Sequence, residues 1–303
     1  MSQIFDALQR SEAERPGFDS LAERTTFSVA TELLDAAERK RRGGDAGTAI
    51  GPADSAFLEQ FPSLPVFVTP NSRLVSVGEQ QSLGAEKFRF LAVRLRQMRQ
   101  TRPLQKVLIT STIPQEGKST VAANLACTLA RRKQHKTLLL EGDLRRPTVA
   151  QKFGLGKVAG LSEWFRGETE SMNIYRLETL GLWVLPAGNA PENPLELMQS
   201  GKLSPLMDQL TAWFDWIIID SPPVLPLADT SIWARLSDGI LLVTRKSITE
   251  KQQLKRGLDA LERSKLLGAL VNGSTDAAHS DYYQRYGPAA APSSPEAAKG
   301  KRA

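Results

Sequence analysis

The sequence predicts an α/β protein built on a doubly wound, mostly parallel sheet. Three observations predict it. After Pro103, strand-length apolar runs alternate with amphipathic helical stretches. Two of the runs end in carboxylates, Glu141 closing "TLLLE" and Asp220 closing "WIIID". A loop ending in Gly117-Lys118-Ser119 leaves the first run and enters a helix. Ligands of such sheets bind beyond the carboxyl ends of the strands, so the loop and both carboxylates are expected at one end of the molecule.

The elements follow in order. Ile4, Phe5 and Leu8 fall at helical spacing, and Arg15-Pro16-Gly17 ends that short amphipathic helix. A second helical stretch, Leu21 to Arg42, runs into the Gly/Pro/Ser-rich "RRGGDAGTAIGPADS". Residues 1–81 therefore read as a flexible leader carrying short helices. A helix over 85–100 comes next and stops before Arg102-Pro103. Between Glu86 and Lys106 stand Lys87, Arg89, Arg94, Arg96, Arg99 and Arg102, so this segment alone carries as much charge as the chain's net +6. Such a helix suits nucleic acid, an anionic membrane, an acidic partner surface or plain solvation.

The first strand is "KVLITS", followed by a helix from Ser119 to Arg132 and then by "TLLLE". "LWVLPAG", "WIIIDSPP", "GILLVTR" and "LGALVNG" supply the remaining strands. The domain is expected to span 82–273. The tail, 274–303, holds Tyr282, Tyr283 and Tyr286 and ends in low-complexity sequence that reads as largely disordered.

Composition excludes several classes. At 303 residues the chain can bury a sizeable core. Its longest apolar runs fall far short of the ~20 residues that a membrane helix requires. Asp6, Arg10, Glu12 and Glu14 interrupt the first residues, which therefore lack the apolar core of a secretory signal, and a cytoplasmic protein is expected. The lone Cys127 lies among helix-core residues and reads as a small buried hydrophobe. Neither His135 nor His279 has a partner at ligand spacing, so the only metal expected is one brought by a nucleotide.

"STIPQEGKST" holds most of a phosphate-binding loop, with Thr112 where the pattern G-x-x-x-x-G-K-[ST] asks for its first glycine. The strand-loop-helix context supplies what the chemistry needs. Backbone N–H groups and a helix N-terminus cradle the phosphates, Lys118 reaches the β/γ oxygens, and Ser119 offers a hydroxyl to magnesium. The candidate nucleotide-binding residues are Thr112, Pro114, Gln115, Glu116, Gly117, Lys118, Ser119 and Thr120. Carboxylates that end apolar strands are costly unless they serve a charged partner, which makes Glu141, Asp143 and Asp220 the companions of the loop. Three of the chain's four tyrosines cluster in "DYYQRYG", either as phosphate acceptors or as an aromatic anchor for the tail.

With these motifs in place, the sequence resembles the bacterial tyrosine kinases (BY-kinases) of the CpsD/CapB type, over roughly Asn71 to Tyr286. "STIPQEGKST" matches their Walker A motif, "LLLEGDLRRP" the additional A′ motif and "WIIIDSPPVLPLAD" Walker B. "LPAGNAPENPLELMQS" resembles a further signature, and "EKFRFLAVRLRQ" resembles their oligomerisation helix, with Glu86 and Arg89 matching. Three positions depart: Glu141 replaces the first Asp of A′, Ala92 stands at the third oligomerisation position, and Gln115 replaces a glycine. The resemblance implies a P-loop NTPase fold of the MinD/ParA-like BY-kinase kind, with ATP and Mg2+ as nucleotide and metal. It implies a γ-phosphoryl transfer to Tyr282, Tyr283 and Tyr286, regulating capsule or exopolysaccharide synthesis and export. The implied roles are phosphate neutralisation by Lys118, metal binding by Ser119, Asp143 and Asp220, and orientation or deprotonation of tyrosine by Glu141. The implied partners are a membrane activator of the chain-length-determinant type, which recruits the kinase to the inner membrane face, and further copies of the chain; no nucleic acid is expected.

Two other readings share the loop. An ATPase switch of the same export machinery would lack kinase activity, with the tail only docking. A partitioning or septum-positioning ATPase would carry an extra lysine early in the loop, where this sequence has Ile113.

Overall fold

The computed structural model describes residues 58–132 and 134–273. The expected helices before residue 58 and the tyrosine cluster lie outside the described residues. Seven strands form one sheet in the order β3-β4-β2-β5-β1-β6-β7. The strands are β1 (Lys106–Ser111), β2 (Thr137–Glu141), β3 (Tyr175–Leu177), β4 (Leu182–Leu185), β5 (Trp216–Asp220), β6 (Gly239–Arg245) and β7 (Leu266–Asn272). All neighbours pair in parallel except β3 and β4. The six strands expected from the sequence are present. The seventh, β3, is a short antiparallel edge whose Tyr-Arg-Leu is too brief to show periodicity.

Side chains alternate between two cores, as the two-residue strand period requires. Val107, Ile109, Leu139 and Ile218 face one layer, while Leu108, Leu138, Leu140, Ile217 and Ile219 face the other. The first layer is filled by α3 (Lys118–Ala130), preceded by α1 (Val75–Gly78) and α2 (Leu83–Arg99). Ala122, Ala123 and Ala126 let α3 approach the sheet closely, and Cys127 packs among them with its thiol pushed up to about 12 by burial. The other face receives α7 (Leu203–Trp213) and α8 (Asp229–Leu236), through Leu206, Leu210 and Trp233. The remaining helices are α4 (Val149–Phe153), α5 (Leu161–Arg166), α6 (Pro194–Gln199) and α9 (Lys251–Asp259).

Residues 58–81, expected to belong to a flexible leader, are instead packed on the domain. Leu58 is 1% exposed and Leu74 3% exposed, each within a core cluster. Leu64 N donates to Arg176 O and Arg176 N to Pro62 O, so this segment covers the edge strand β3. Ser76 N donates to Asn124 Oδ1 at 2.9 Å on α3. Interspersed prolines and serines hid these contacts, because the apolar anchors Leu58, Leu64 and Leu74 follow no single period.

The basic helix α2 begins at Ser82, whose hydroxyl accepts from Ala85 N. It is not uniformly solvated. Arg96 is buried, and Arg99 lies over the Trp216 ring at 4.8 Å and donates to Asp215 O at 2.9 Å. Beyond the helix, Arg102 donates to Asp238 O at 2.8 Å. Glu86 and Arg89 pair with each other along the helix, and Arg89 also donates to Gln80 O.

Candidate active site

The carboxyl ends of β2, β5, β1, β6 and β7 are neighbours in the sheet, and each delivers a polar group to one place. β1 feeds the loop Thr112–Gly117, which opens α3 with Lys118. Glu141 and Asp220 lie side by side in the β2–β5 register. Lys118 Nζ meets Asp143 Oδ2 at 2.8 Å and Ser119 Oγ at 3.3 Å. Burial by itself would depress the Lys118 ammonium. The charges of Asp220, Asp143 and Glu141, with the Asp143 hydrogen bond, outweigh it and hold the group above its ordinary value.

Asp220 is fully buried, and neither of its oxygens accepts a hydrogen bond of ordinary geometry among the described residues. Burial pushes its carboxyl above the usual range, against the opposing pull of Lys118, of the nearby Ser119 hydroxyl and of Lys152. An orphaned buried carboxylate is costly unless a cation joins it. Among the described residues no cluster of three or more His, Cys, Asp or Glu could hold a metal by itself. Asp143, Asp220 and the Ser119 hydroxyl instead make an oxygen-only partial shell, which suits Mg2+, an ion that keeps waters and phosphate oxygens as its other ligands.

Glu141 is engaged elsewhere. Its Oε1 accepts from Thr148 N and from Val149 N, the latter at 2.7 Å, and its Oε2 accepts from Ala187 N at 2.9 Å. The carboxylate therefore fastens the start of α4 and the "LPAG" turn to β2. Burial raises it to about 7 in spite of these three donors. Glu163 anchors the same turn from α5, accepting from Gly160 N at 2.7 Å and Asn189 N at 3.0 Å.

The loop's departures from the motif have local compensations. Thr112 is buried against α9 at Gly257, where a Cβ would come within 3.1 Å of both Thr112 Cγ2 and Oγ1. The glycine missing from the loop is thus matched by a glycine on the facing helix. Gln115 takes φ +68° and Gly117 φ +94°, a left-handed conformation that costs a non-glycine residue of order 1 kcal/mol or more. Arg245 Nη1 donates to Gln115 O at 3.3 Å and Asn272 Nδ2 to Glu116 O at 2.9 Å, bracing that turn from the ends of β6 and β7. The Glu116 side chain turns inward. It accepts from Ile113 N at 2.8 Å and from the Thr249 hydroxyl, and so stiffens the loop from within. Pro114 and Gln115 are exposed at the tip.

Thr249, Gly257, Asn272 and Lys152 also reach the site and carry no signal of it in the sequence. The first three belong to no motif and act only through tertiary contact. Lys152 sits in the last turn of α4, and its Nζ donates to Thr120 Oγ1 at 2.9 Å. Trp233 carries no such signal either, and its Nε1 donates to Gly142 O at 3.1 Å beneath the A′ turn.

Over 212 residues the chain is 37% identical to the tyrosine-protein kinase YwqD of Bacillus subtilis (strain 168), covering 69% of this chain and 89% of that protein. The chain belongs to the bacterial tyrosine kinases. The CpsD/CapB type of BY-kinase is represented by the tyrosine-protein kinase CpsD of Streptococcus agalactiae serotype III (strain NEM316), 33% identical over 168 residues, or 54% of this chain and 72% of that one. The crystal structure of the chimerical protein CapA2B2 has a similar fold, with TM-score 0.64 at 30% identity, over 75% of this chain and all of that chain. No protein-family model matches the sequence. The BY-kinase has, among its described residues, no helix long and apolar enough to cross a membrane.

Proposed function

We propose that this BY-kinase is an ATP-dependent autokinase that phosphorylates Tyr282, Tyr283 and Tyr286 of its own tail, within a polysaccharide synthesis and export system. The carrying observation is the meeting of Lys118, Ser119 and Asp143 beside the orphaned, buried Asp220 at the strand ends. The loop's backbone N–H groups and the start of α3 receive the ATP phosphates, and Lys118 neutralises the β/γ charge. Mg2+, held by Ser119, Asp143 and Asp220, supplies further charge neutralisation when bound. The tyrosine oxygen bonds to the γ-phosphorus as the bond to the β–γ bridging oxygen breaks. ADP departs with that electron pair, and the phenolic proton passes to solvent.

Glu141 acts by position. Its oxygens hold three backbone N–H groups, which fixes the turn carrying Asp143. A loose phosphoryl-transfer transition state asks chiefly for positioning and charge neutralisation, so an engaged Glu141 is compatible with kinase chemistry. The same engagement is what favours the ATPase-switch reading, since no free carboxylate base is offered at that position.

The catalytic domain ends at about residue 273, and residues 274–303 form the acceptor tail. Assembly with further copies uses the helix face carrying Glu86 and Arg89. A membrane protein of the chain-length-determinant type recruits the kinase to the inner membrane face as its activator, without nucleic acid. Replacing Tyr282, Tyr283 and Tyr286 together by Phe tests the acceptor assignment. Phosphotyrosine detection after incubation with Mg-ATP should lose most of its signal. Wild-type incorporation in the triple variant would make the tail an anchor and leave Tyr175 as the remaining tyrosine.

A further inference from the structure

Lys152 lies outside every motif of the nucleotide site, yet its ammonium is anchored to the first turn of α3. Thr120, its hydrogen-bond partner at 2.9 Å, directly follows Ser119. Two other cations, Arg73 and Lys118, are close enough to act on Lys152 electrostatically. Arg73 is held there by its backbone, since Asn124 Nδ2 of α3 donates to Arg73 O at 2.9 Å. Among the described residues no carboxylate comes within ion-pair distance of Lys152, although Asp220 and Glu141 attract it from farther away.

A half-buried ammonium beside like charges, with a neutral hydroxyl as its hydrogen-bond partner, is an unfavourable arrangement in the empty protein. Burial holds the group below its ordinary value, with Arg73 and Lys118 acting in the same direction and the attraction of Asp220, the largest of the charge effects, offsetting only part of it. An anion at the start of α3 removes this cost. The helix N-terminus and the loop's N–H groups already converge there. Lys118, tied to Asp143, is directed to the metal side, which leaves the Thr120 side of the phosphates without a motif cation.

We propose that Lys152 is a second phosphate-binding cation of the nucleotide site, engaging oxygens of the phosphates that ADP and ATP share. The inference rests on the nucleotide reading of the loop. It adds a binding residue from α4, so closure of the nucleotide site depends on the helix that Glu141 fastens to β2. Thr120 Oγ1 serves as the resting partner of Lys152 and steers the ammonium toward the phosphates.

The test is fluorescent-ADP binding to the full chain, with unlabelled ADP, ATP and inorganic pyrophosphate as competitors, for wild type, Lys152→Met, Lys152→Arg and Lys118→Met. Lys152→Met should weaken ADP, ATP and pyrophosphate alike by about tenfold, the scale of one hydrogen bond to a charged group. Its thermal midpoint without nucleotide should not fall, and Lys152→Arg should bind within a few-fold of wild type. Wild-type affinity in Lys152→Met would overturn the inference. So would a loss confined to ATP, or a loss accompanied by a lower midpoint that arginine does not rescue. Lys118→Met separates the two levels. If it loses binding while Lys152→Met keeps it, the nucleotide reading stands and Lys152 is only a strut. Absence of nucleotide binding by wild type would overturn both.

Discussion

Gly142 joins Glu141 to Asp143 and is pinned from both sides. Its N–H donates to Asp220 O at 2.7 Å, and its carbonyl accepts from Trp233 Nε1 at 3.1 Å. A Cβ at this position would lie 2.6 Å from Trp233 Cε2, 2.7 Å from Nε1 and 2.9 Å from Cζ2. Non-bonded carbon contacts settle near 3.5–4.0 Å, so Gly142→Ala forces a displacement of about 1 Å. Trp233 is fully buried and has no room to yield, so the A′ turn moves instead. Overpacking of this kind costs about 1–3 kcal/mol, and a misplacement of about 1 Å near reacting groups costs about a hundredfold in rate. Initial rates of phosphotyrosine formation and thermal unfolding measure the two effects. The Gly142→Ala/Trp233→Phe double variant should regain activity relative to Gly142→Ala, because Phe removes the indole edge that the methyl meets; the coupling should reach about 1–3 kcal/mol. Wild-type turnover in Gly142→Ala, or a double variant no more active than Gly142→Ala, would show that the Trp233 contact does not position the A′ turn.

Three further outcomes are expected. Glu141, raised by burial from 4.5 to about 7, contributes stability that is complete below its unfolded value and is lost as pH rises through 7. Nucleotide-free protein should therefore lose on the order of 2–3 kcal/mol between pH 5 and pH 8 from this group, with Asp220 acting in the same direction; urea unfolding reads the slope, which Glu141→Gln should flatten. Asp143→Asn should reduce phosphorylation more than Glu141→Gln, because a metal needs the anionic ligand while the glutamine still accepts from α4; equal losses would make Glu141 a reacting group. Arg89→Glu should shift any ATP-loaded oligomer to smaller species in light scattering, and an unchanged assembly would move the contact elsewhere.

Much of the fold was legible in the sequence, as was the meeting of the loop with the acidic strand ends. Buried parallel strands read as unbroken apolar runs, so β1, β2, β5 and β6 stood out, and their terminal carboxylates marked the functional end. What escaped was decided by contacts between residues distant in sequence. The covering segment from Leu58 to Ser76 has no periodicity because it follows the contours of β3 and α3 rather than forming a long element. Thr112 and Gln115 looked like faults in a loop motif. Gly257 accommodates the first and Arg245 braces the second, through contacts that no local pattern encodes. The motif position of Glu141 implies a group acting on tyrosine, yet its side chain is turned to three backbone donors. Lys152 gave no signal at all, since a lysine near the end of a short helix is ordinarily solvated.

Phosphoryl transfer from the loop to tyrosine is read most directly by mass spectrometry of the purified chain after incubation with Mg-ATP. Phosphate on Tyr282, Tyr283 or Tyr286 in the wild type, absent in Lys118→Met, is the predicted result. ATP hydrolysis that depends on Lys118 but leaves every tyrosine unmodified would contradict it and make the protein a nucleotide switch.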